Sequence, residues 1–293
     1  MKEILVISGK GGTGKTSVTT SLCALGGKDI VAADCDVDAA DMHILLKPDF
    51  KVKRDFYSGE LAVIDPELCV SCDICYQVCR FDSITPGDDT YKITDIDCEG
   101  CGYCSHVCPT KAITMVEQVV GQLYISKIKT GATMVHAALG IGAENTGKLV
   151  TEVKNEAKRI AKENGIEYII VDGSPGIGCP VISSLSGADF VLLVTEPTVS
   201  GIHDLKRVHE LVKKFHIKSG CVINKYDLNQ TVADEIKEFL KEENIIHIAD
   251  IPYHKAFTEA MTVGLTIAEY DNKELKKIMI DIYSQLLELT KNK

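Results

Sequence analysis

Short hydrophobic runs alternate with segments of helical period along most of the chain. The runs predict six strands, at Ile4–Ser8, Ile30–Asp34, Tyr168–Asp172, Phe190–Thr195, Cys221–Asn224 and Ile245–Ile251. A helix is predicted between two of them by the apolar stripe Leu149, Val153, Ala157, Ile160 and Ala161, with Gly165 at the position of a C-cap glycine. This alternation is typical of an α/β fold in which helices flank a mostly parallel sheet.

The alternation stops between residues 61 and 116, where closely spaced cysteines and turn residues replace it. We therefore predict a discontinuous larger domain, residues 1–60 and 117–293, with a small domain of α+β type inserted at 61–116. Cys69–Cys79 and Cys98–Cys108 have the same cysteine spacing, so the insertion is predicted to be an internal duplication. The stretch Asn272–Lys293 has apolar residues at helical spacing and predicts a helix packed on the larger domain rather than a membrane anchor.

Composition narrows the function classes. The 293 residues are 45% hydrophobic, which is enough for a sizeable core, and the net charge of −10 disfavours a nucleic-acid partner, since phosphate binding needs excess Lys and Arg. The first apolar run is too short for a signal peptide, and no apolar run approaches the length of about 18 residues that a spanning helix needs. We expect a cytoplasmic protein without an integral membrane segment, whose 12 cysteines bind metal rather than form disulfides.

A phosphate-binding loop is predicted directly after the first strand. Residues 9–16 read Gly-Lys-Gly-Gly-Thr-Gly-Lys-Thr and satisfy the pattern G-x-x-x-x-G-K-[ST] between a strand and a helix. Backbone N–H groups of such a loop surround the phosphates, Lys15 is expected to reach the β- and γ-phosphates, and Thr16 is expected to ligate Mg²⁺. The predicted nucleotide-binding residues of the loop are Gly11, Gly12, Thr13, Gly14, Lys15, Thr16 and Ser17.

Acidic residues follow two other predicted strands. Asp172 closes a hydrophobic run, the Walker B pattern that holds Mg²⁺, and glycine-rich residues 173–178 follow it as a candidate switch II. Residues 34–38 contain three aspartates, and a carboxylate at this sheet edge is expected near the γ-phosphate. Asp34 or Asp38 could instead cap the following helix, so that position alone leaves the choice among the three open.

The cysteine runs carry the most specific pattern in the chain. Both have the spacing C-x₂-C-x₂-C-x₃-C of bacterial ferredoxins with two [4Fe–4S] clusters, in which the fourth cysteine of each run ligates the other cluster. We call Cys69, Cys72, Cys75 and Cys108 the first thiol set, and Cys98, Cys101, Cys104 and Cys79 the second thiol set. A zinc module is the alternative, but tetrahedral zinc leaves the third and fourth cysteines of the repeat unexplained. The first run departs from the pattern in that Arg80 replaces the usual proline.

The loop has a second lysine, Lys10, and in this form it resembles the deviant Walker A motif of the class that includes MinD, Mrp and the nitrogenase Fe protein. Residues 34–38, 172–178, 194–198, 224–227 and 251–253 extend the resemblance over nearly the whole chain, which is similar to a MinD-superfamily ATPase with an inserted ferredoxin domain. The resemblance implies an ATP-sandwiched homodimer in which Lys10 acts in trans, Asp36 orients the attacking water and Asn224 contacts adenine.

Four cysteines lie outside the two runs. Cys23 and Cys221 are expected to be buried packing residues. Cys35 lies in the segment 34–38, which resembles switch I of the class, and Cys179 directly follows the candidate switch II. Cys179 follows Asp172 at the interval of a cluster ligand in the nitrogenase Fe protein, but residues 140–145, which resemble the segment of the second ligand, contain no cysteine. A cluster bridging two subunits is therefore not expected. Cys179 is expected to be a structural thiol, and the alternative is that it faces the dimer interface or a bound metal centre.

Three functions remain open. The leading hypothesis is an ATPase whose nucleotide state gates electron transfer through two [4Fe–4S] clusters to a client metalloprotein. The second is a maturation factor that assembles or inserts a metal cofactor. The third is a MinD-like positioning ATPase whose clusters are structural or redox-sensing.

Overall fold

The computed structural model describes residues 1–140 and 146–291 and divides the chain into two compact units. The first unit comprises Met1–Arg54, Leu123–Ala138 and Asn145–Lys293, and the second comprises Asp55–Gln122 and Leu139–Glu144. The cysteine-rich segment 61–116 lies within the second unit. Of the segment 140–145, only Gly140 is among the described residues.

The described residues form eleven strands and ten α-helices. The strands are β1 (Lys2–Ile7), β2 (Ile30–Cys35), β3 (Val52–Ile64), β4 (Ile84–Pro86), β5 (Tyr91–Ile93), β6 (Ile113–Lys127), β7 (Thr133–Leu139), β8 (Tyr168–Gly173), β9 (Phe190–Thr195), β10 (Lys218–Asn224) and β11 (Ile246–Ile251). The helices are α1 (Lys15–Gly26), α2 (Met42–Leu46), α3 (Ile74–Val78), α4 (Tyr103–Val107), α5 (Thr146–Glu163), α6 (Cys179–Leu185), α7 (Val199–Lys214), α8 (Gln230–Glu242), α9 (Ala256–Thr262) and α10 (Lys273–Lys291).

Nine strands make one sheet in the order β11-β10-β9-β1-β8-β2-β7-β6-β3. From β11 to β7 each pair of neighbouring strands is parallel. The strands β1, β2, β8 and β9 are buried along almost their whole length, which explains why they read as continuous apolar runs in the sequence. The predicted α/β fold with a mostly parallel sheet is therefore confirmed.

Three strands of this nine-stranded sheet were not anticipated. β3 and β6 are long, with 13 and 15 residues, and β7 contributes seven more. Most side chains of β3 are exposed and several are charged, so it lacks the apolar run that marks the central strands. Its strand conformation depends on pairing within the sheet rather than on a local hydrophobic pattern.

Two predicted helices are confirmed. α10 packs against α1 and buries Leu275, Met279, Ile282 and Leu286, the stripe of its predicted apolar face. Each such side chain stabilises the fold by about 1.5–3 kcal/mol through burial. α5 ends two residues before Gly165, whose φ of 66° lies in the left-handed region that glycine adopts most easily.

The second unit contains two short helices, α3 and α4, and the antiparallel hairpin β4–β5. No helix in the described part of the chain is both long and apolar enough to cross a membrane.

Candidate functional site

The sheet order brings three loops together. β8 lies between β1 and β2, with Asp172 in register with Val6 on one side and Asp34 on the other. Because these strands are parallel, the loop after β1, the aspartates after β2 and the loop after β8 all leave the same edge of the sheet. Ligands of open α/β sheets bind at such carboxyl edges.

Lys15 is the electrostatic centre of this edge. Its Nζ lies 2.8 Å from Asp172 Oδ2 and 3.2 Å from Asp36 Oδ2, and the residue is only 5% exposed. Burial alone would lower the pKa of Lys15, but the carboxylates of Asp172 and Asp36 more than offset it and the pKa is raised. The ammonium group is thus held charged by its neighbours.

Asp172 is surrounded by donors. In addition to Lys15, it accepts hydrogen bonds from the hydroxyl groups of Thr16 at 2.8 Å and Thr19 at 2.6 Å. Thr16 and Asp172, the two predicted Mg²⁺ ligands, therefore lie side by side. The sequence analysis did not predict Thr19 as a site residue, although it lies one helical turn after Lys15 on α1.

The structure separates the aspartates after β2. Asp34 is fully buried and accepts hydrogen bonds from the backbone N–H of Asp36 at 3.1 Å and of Met42 at 3.3 Å. Burial, and then the charge of Asp172, raise the pKa of Asp34 well above its usual value. Asp34 therefore organises the loop that leads into α2, whereas Asp36 is the carboxylate that pairs with Lys15.

The pKa of Asp36 is also raised, because burial and the charge of Asp172 outweigh the opposing effect of Lys15.

Lys10 is held within its own chain. Its Nζ lies 2.8 Å from Glu196 Oε1 and within 3.2 Å of the hydroxyl groups of Thr198 and Ser200. The carboxylate of Glu196 also lies 2.8 Å from Lys225 Nζ. Burial alone would raise the pKa of Glu196, but Lys10 and Lys225 lower it below the usual range. Glu196 was not predicted, although an acidic residue directly after a buried strand was a usable signal.

Asn224 braces the phosphate loop. Its Nδ2 donates to the carbonyl of Thr13 at 2.7 Å, and its Oδ1 accepts the backbone N–H of Lys225 at 3.0 Å. Gly14, with φ of 92°, approaches so closely that a Cβ atom there would lie 2.3 Å from Asn224 Nδ2. The amide group of Asn224 thus contacts the loop in this structure, and the expected adenine contact stays a prediction.

A cleft opens over this edge. Its walls include Gly11, Gly12, Gly14, Lys15, Thr16, Ser17, Asp36 and Ser174. α1 begins at Lys15, and the N–H groups of its first turn give the cleft a positive potential. The first turn contains no acidic residue that would offset this potential. The arrangement can accommodate a polyphosphate.

The isolated cysteines divide into two kinds. Cys23, Cys35 and Cys221 are buried, and burial is the main cause that raises the pKa of each thiol. Cys179 is exposed at the first position of α6. The packing role expected for Cys23 and Cys221 agrees with their burial.

The duplication in the cysteine-rich sequence reappears in the backbone of the second unit. α3 and α4 both have five residues, and both follow a residue with positive φ, Asp73 at 65° and Gly102 at 72°. Cys79 and Cys108, the residues after the two helices, have almost the same φ and ψ, −69° and 119° against −66° and 115°. Corresponding residues of the two copies therefore occupy equivalent positions.

Each thiol set lines its own cavity. The first set lines one small cavity, together with apolar residues that include Ile64 and Ile113. The second set lines another, with Phe81 and Ile84 among its neighbours. Neither cavity includes a cysteine of the other set, and all eight thiols are free.

Among residues 1–140 and 146–291, no group of three or more His, Cys, Asp or Glu side chains is arranged to hold a metal ion. A four-iron cubane differs from a single ion, because its ligands surround a cluster and each binds a different iron. Each cavity offers four thiols, which is the ligand number of such a cluster.

Cys79 and Cys108, the fourth cysteines of the two runs, have thiols with lowered pKa values. Burial raises the pKa of Cys79, but the hydroxyl of Ser83 and neighbouring backbone N–H groups lower it below the usual range. The pKa of Cys108 is lowered in the same way by Thr110 and the backbone. Both positions therefore favour the thiolate, the form that binds metal.

Known proteins resemble this chain over most of its length. An uncharacterised protein of Methanocaldococcus jannaschii is 38% identical over 229 residues, 78% of this chain and 79% of that protein. The septum site-determining protein MinD of Neisseria meningitidis is 22% identical over 300 residues, 98% of this chain and 91% of that protein. The solved structure of septum site-determining protein MinD complexed with Mg-ADP, from Pyrococcus horikoshii, aligns with a TM-score of 0.60 at 19% identity, covering 98% of this chain and 96% of that one.

Residues 4–267 match the family described as the CobQ/CobB/MinD/ParA nucleotide binding domain. This match covers the phosphate loop, both acidic strand ends and Asn224, and the chain therefore belongs to the CobQ/CobB/MinD/ParA nucleotide-binding family.

Proposed function

We propose that this chain is a Mg²⁺-dependent ATPase that acts as a MinD-type switch, dimerising with ATP and separating after hydrolysis. The observation that carries the proposal is the position of Lys15 between Asp36 and Asp172 at the mouth of the cleft. A cation held by two carboxylates at a helix N-terminus can exchange them for a phosphate group.

The exchange would prepare the site for hydrolysis. When the γ-phosphate binds Lys15, the 3.2 Å ion pair between Lys15 and Asp36 breaks. The carboxylate of Asp36 can then orient the attacking water. The raised pKa of Asp36 makes its carboxylate a stronger base toward that water. Lys15 then stabilises the charge that develops on the transferred phosphoryl group.

Thr16 and Asp172 would hold Mg²⁺. The two oxygen atoms lie 2.8 Å apart, and hydroxyl and carboxylate oxygens are the ligands that Mg²⁺ prefers. A Mg²⁺ ion held there would neutralise phosphate charge.

Lys10 would serve the partner subunit. Its side chain is 27% exposed, and among the described residues it makes one ion pair and two hydroxyl contacts. Such contacts are weak enough at a partly exposed site to be exchanged for a phosphate of the partner's nucleotide.

The dimer can be tested with variants of the two lysines and Asp36. With Mg-ATP, Asp36→Ala should accumulate as a dimer in gel filtration with light scattering and release phosphate slowly. Lys10→Ala should stay monomeric, while the exposed control Lys241→Ala should behave like the wild type. A monomeric Asp36→Ala protein, or a Lys10→Ala protein that dimerises normally, would overturn the proposed switch.

We propose further that the second unit carries two [4Fe–4S] clusters, one on each thiol set. The support is the coincidence of two patterns, since the cysteines paired by sequence spacing are also those that share a cavity. Apolar walls around both cavities would limit solvent access to the clusters.

The clusters can be tested by anaerobic reconstitution of the full chain. The wild type should contain about eight irons and eight sulfides, as two cubanes require. Cys72→Ser and Cys101→Ser should each disturb one set and lower the iron content, whereas the control Cys179→Ser should leave it unchanged. A chain that binds zinc instead, or retains no iron, would refute the clusters.

The similarity to septum site-determining proteins favours the MinD-like switch over the two other hypotheses. In this function the clusters would be structural or redox-sensing groups. Gated electron delivery remains a second candidate, supported by the two apolar thiol-lined cavities. An anaerobic assay separates them, with ATPase rates measured on oxidised and reduced protein, and electron transfer to an acceptor measured with and without ATP. A redox-independent ATPase and ATP-independent electron transfer would exclude gating.

A further inference from the structure

The two halves of the second unit differ at one equivalent position next to the cluster ligands. Four residues after Cys79 the chain has Ser83, and four residues after Cys108 it has Ala112. Both are buried, with 2% and 1% of their surfaces exposed. The duplication therefore supplies an internal comparison in which one half has a hydroxyl group at a position where the other half has a methyl group.

The hydroxyl contacts a cluster ligand. Ser83 Oγ lies 3.2 Å from Cys79 Sγ, within the range of a hydrogen bond to sulfur. A cysteine bound to iron is a thiolate without a proton, so Ser83 must be the donor. In the other half Thr110 Oγ1 lies 3.7 Å from Cys108 Sγ, and its side chain is less buried than that of Ser83.

The acidic residues within the two tight cysteine loops are matched. Asp73 lies within the loop of the first set, and Glu99 lies within the loop of the second. After the fourth cysteines the charges differ at two positions, because Arg80 corresponds to Pro109 and Asp82 corresponds to Lys111, and these two differences act in opposite directions. Ser83 makes the shorter and more buried of the two hydroxyl contacts to a ligand sulfur.

We propose that Ser83 raises the reduction potential of the cluster on the second thiol set above that on the first, so that an electron entering this unit resides on the second set. This inference rests on the two proposed clusters. A donor to a ligand sulfur stabilises the additional negative charge of the reduced cluster, and hydrogen bonds to sulfur are among the factors that set cluster potentials. Ser83 acts through Cys79 as a residue that tunes the cluster.

The test is a pair of reciprocal variants in the full, cluster-loaded chain. Redox titration followed by EPR should resolve two potentials in the wild type. Ser83→Ala should lower the higher one, reducing the equilibrium preference for the second set about tenfold, which equals about 59 mV for one electron. Ala112→Ser should raise the lower potential, and Ser83→Thr, which keeps the hydroxyl, should stay close to the wild type.

Iron and sulfide content distinguish the possible failures. Wild-type protein without cubanes would reject the clusters themselves, and this inference with them. Two intact clusters whose potentials do not move in Ser83→Ala would overturn the role of Ser83 alone. If Ser83→Ala loses a cluster, Ala112→Ser decides, because an unchanged lower potential in that variant contradicts the proposal.

Discussion

Replacing Lys15 by methionine should destabilise the nucleotide-free protein, and the loss should grow with pH. The substitution keeps a long apolar side chain but leaves three carboxylates, Asp34, Asp36 and Asp172, at 0%, 8% and 1% exposure, without their shared cation. Removing one partner of a buried ion pair costs about 3–5 kcal/mol, and we expect a loss of this size at pH 8.

The pH dependence follows from the carboxylates. The pKa values of Asp34 and Asp36 are already raised in the folded protein, and without Lys15 they rise further. When a carboxyl group has a higher pKa in the folded than in the unfolded state, its contribution to the free energy of unfolding is intact below about pH 4. That contribution is lost as the pH rises through the folded-state pKa. The difference between wild type and Lys15→Met should therefore be small near pH 4 and largest at neutral and alkaline pH.

Urea unfolding, followed by circular dichroism between pH 5 and 8, measures this difference. Lys10→Met is the matched control, because Lys10 belongs to the same loop but is 27% exposed and leaves Glu196 paired with Lys225. Its loss should be about 1 kcal/mol or less and nearly independent of pH. A cost for Lys15→Met that is equally small at pH 8, or constant with pH, would refute the assigned charge balance.

Three further outcomes are expected. Asp36→Ala should slow phosphate release about 10²–10⁴-fold without weakening nucleotide binding, as judged by equilibrium dialysis. Glu3→Gln should cost about 3–5 kcal/mol in urea unfolding, because it removes the carboxylate 2.7 Å from the buried Lys154, and Lys154→Met in the same chain should restore part of the loss. Burial, aided by the charge of His43, lowers the pKa of His136 to about 4, so the wild type should lose up to about 3 kcal/mol as the pH falls from 6.5 to 4. His136→Asn should lack that slope, and an identical slope would contradict it.

The central sheet could be predicted from sequence because its strands are buried on both faces. β1, β8 and β9 need no knowledge of their neighbours to be recognised as apolar runs. β3 could not, since its polar and apolar residues follow no simple period and its pairing partner is distant in the chain. The same limit applies to the long β6.

The phosphate loop and the two thiol sets could be predicted from sequence, because both depend on short, fixed spacings in the chain. How these and the neighbouring residues are paired depends on tertiary contacts. Parallel packing of β2 against β8 directs Asp34 to the backbone and leaves Asp36 for Lys15, and the approach of β9 and β10 to the phosphate loop pairs Lys10 with Glu196 and turns Asn224 toward Thr13. These contacts join residues up to about two hundred positions apart, a distance over which no local pattern carries information.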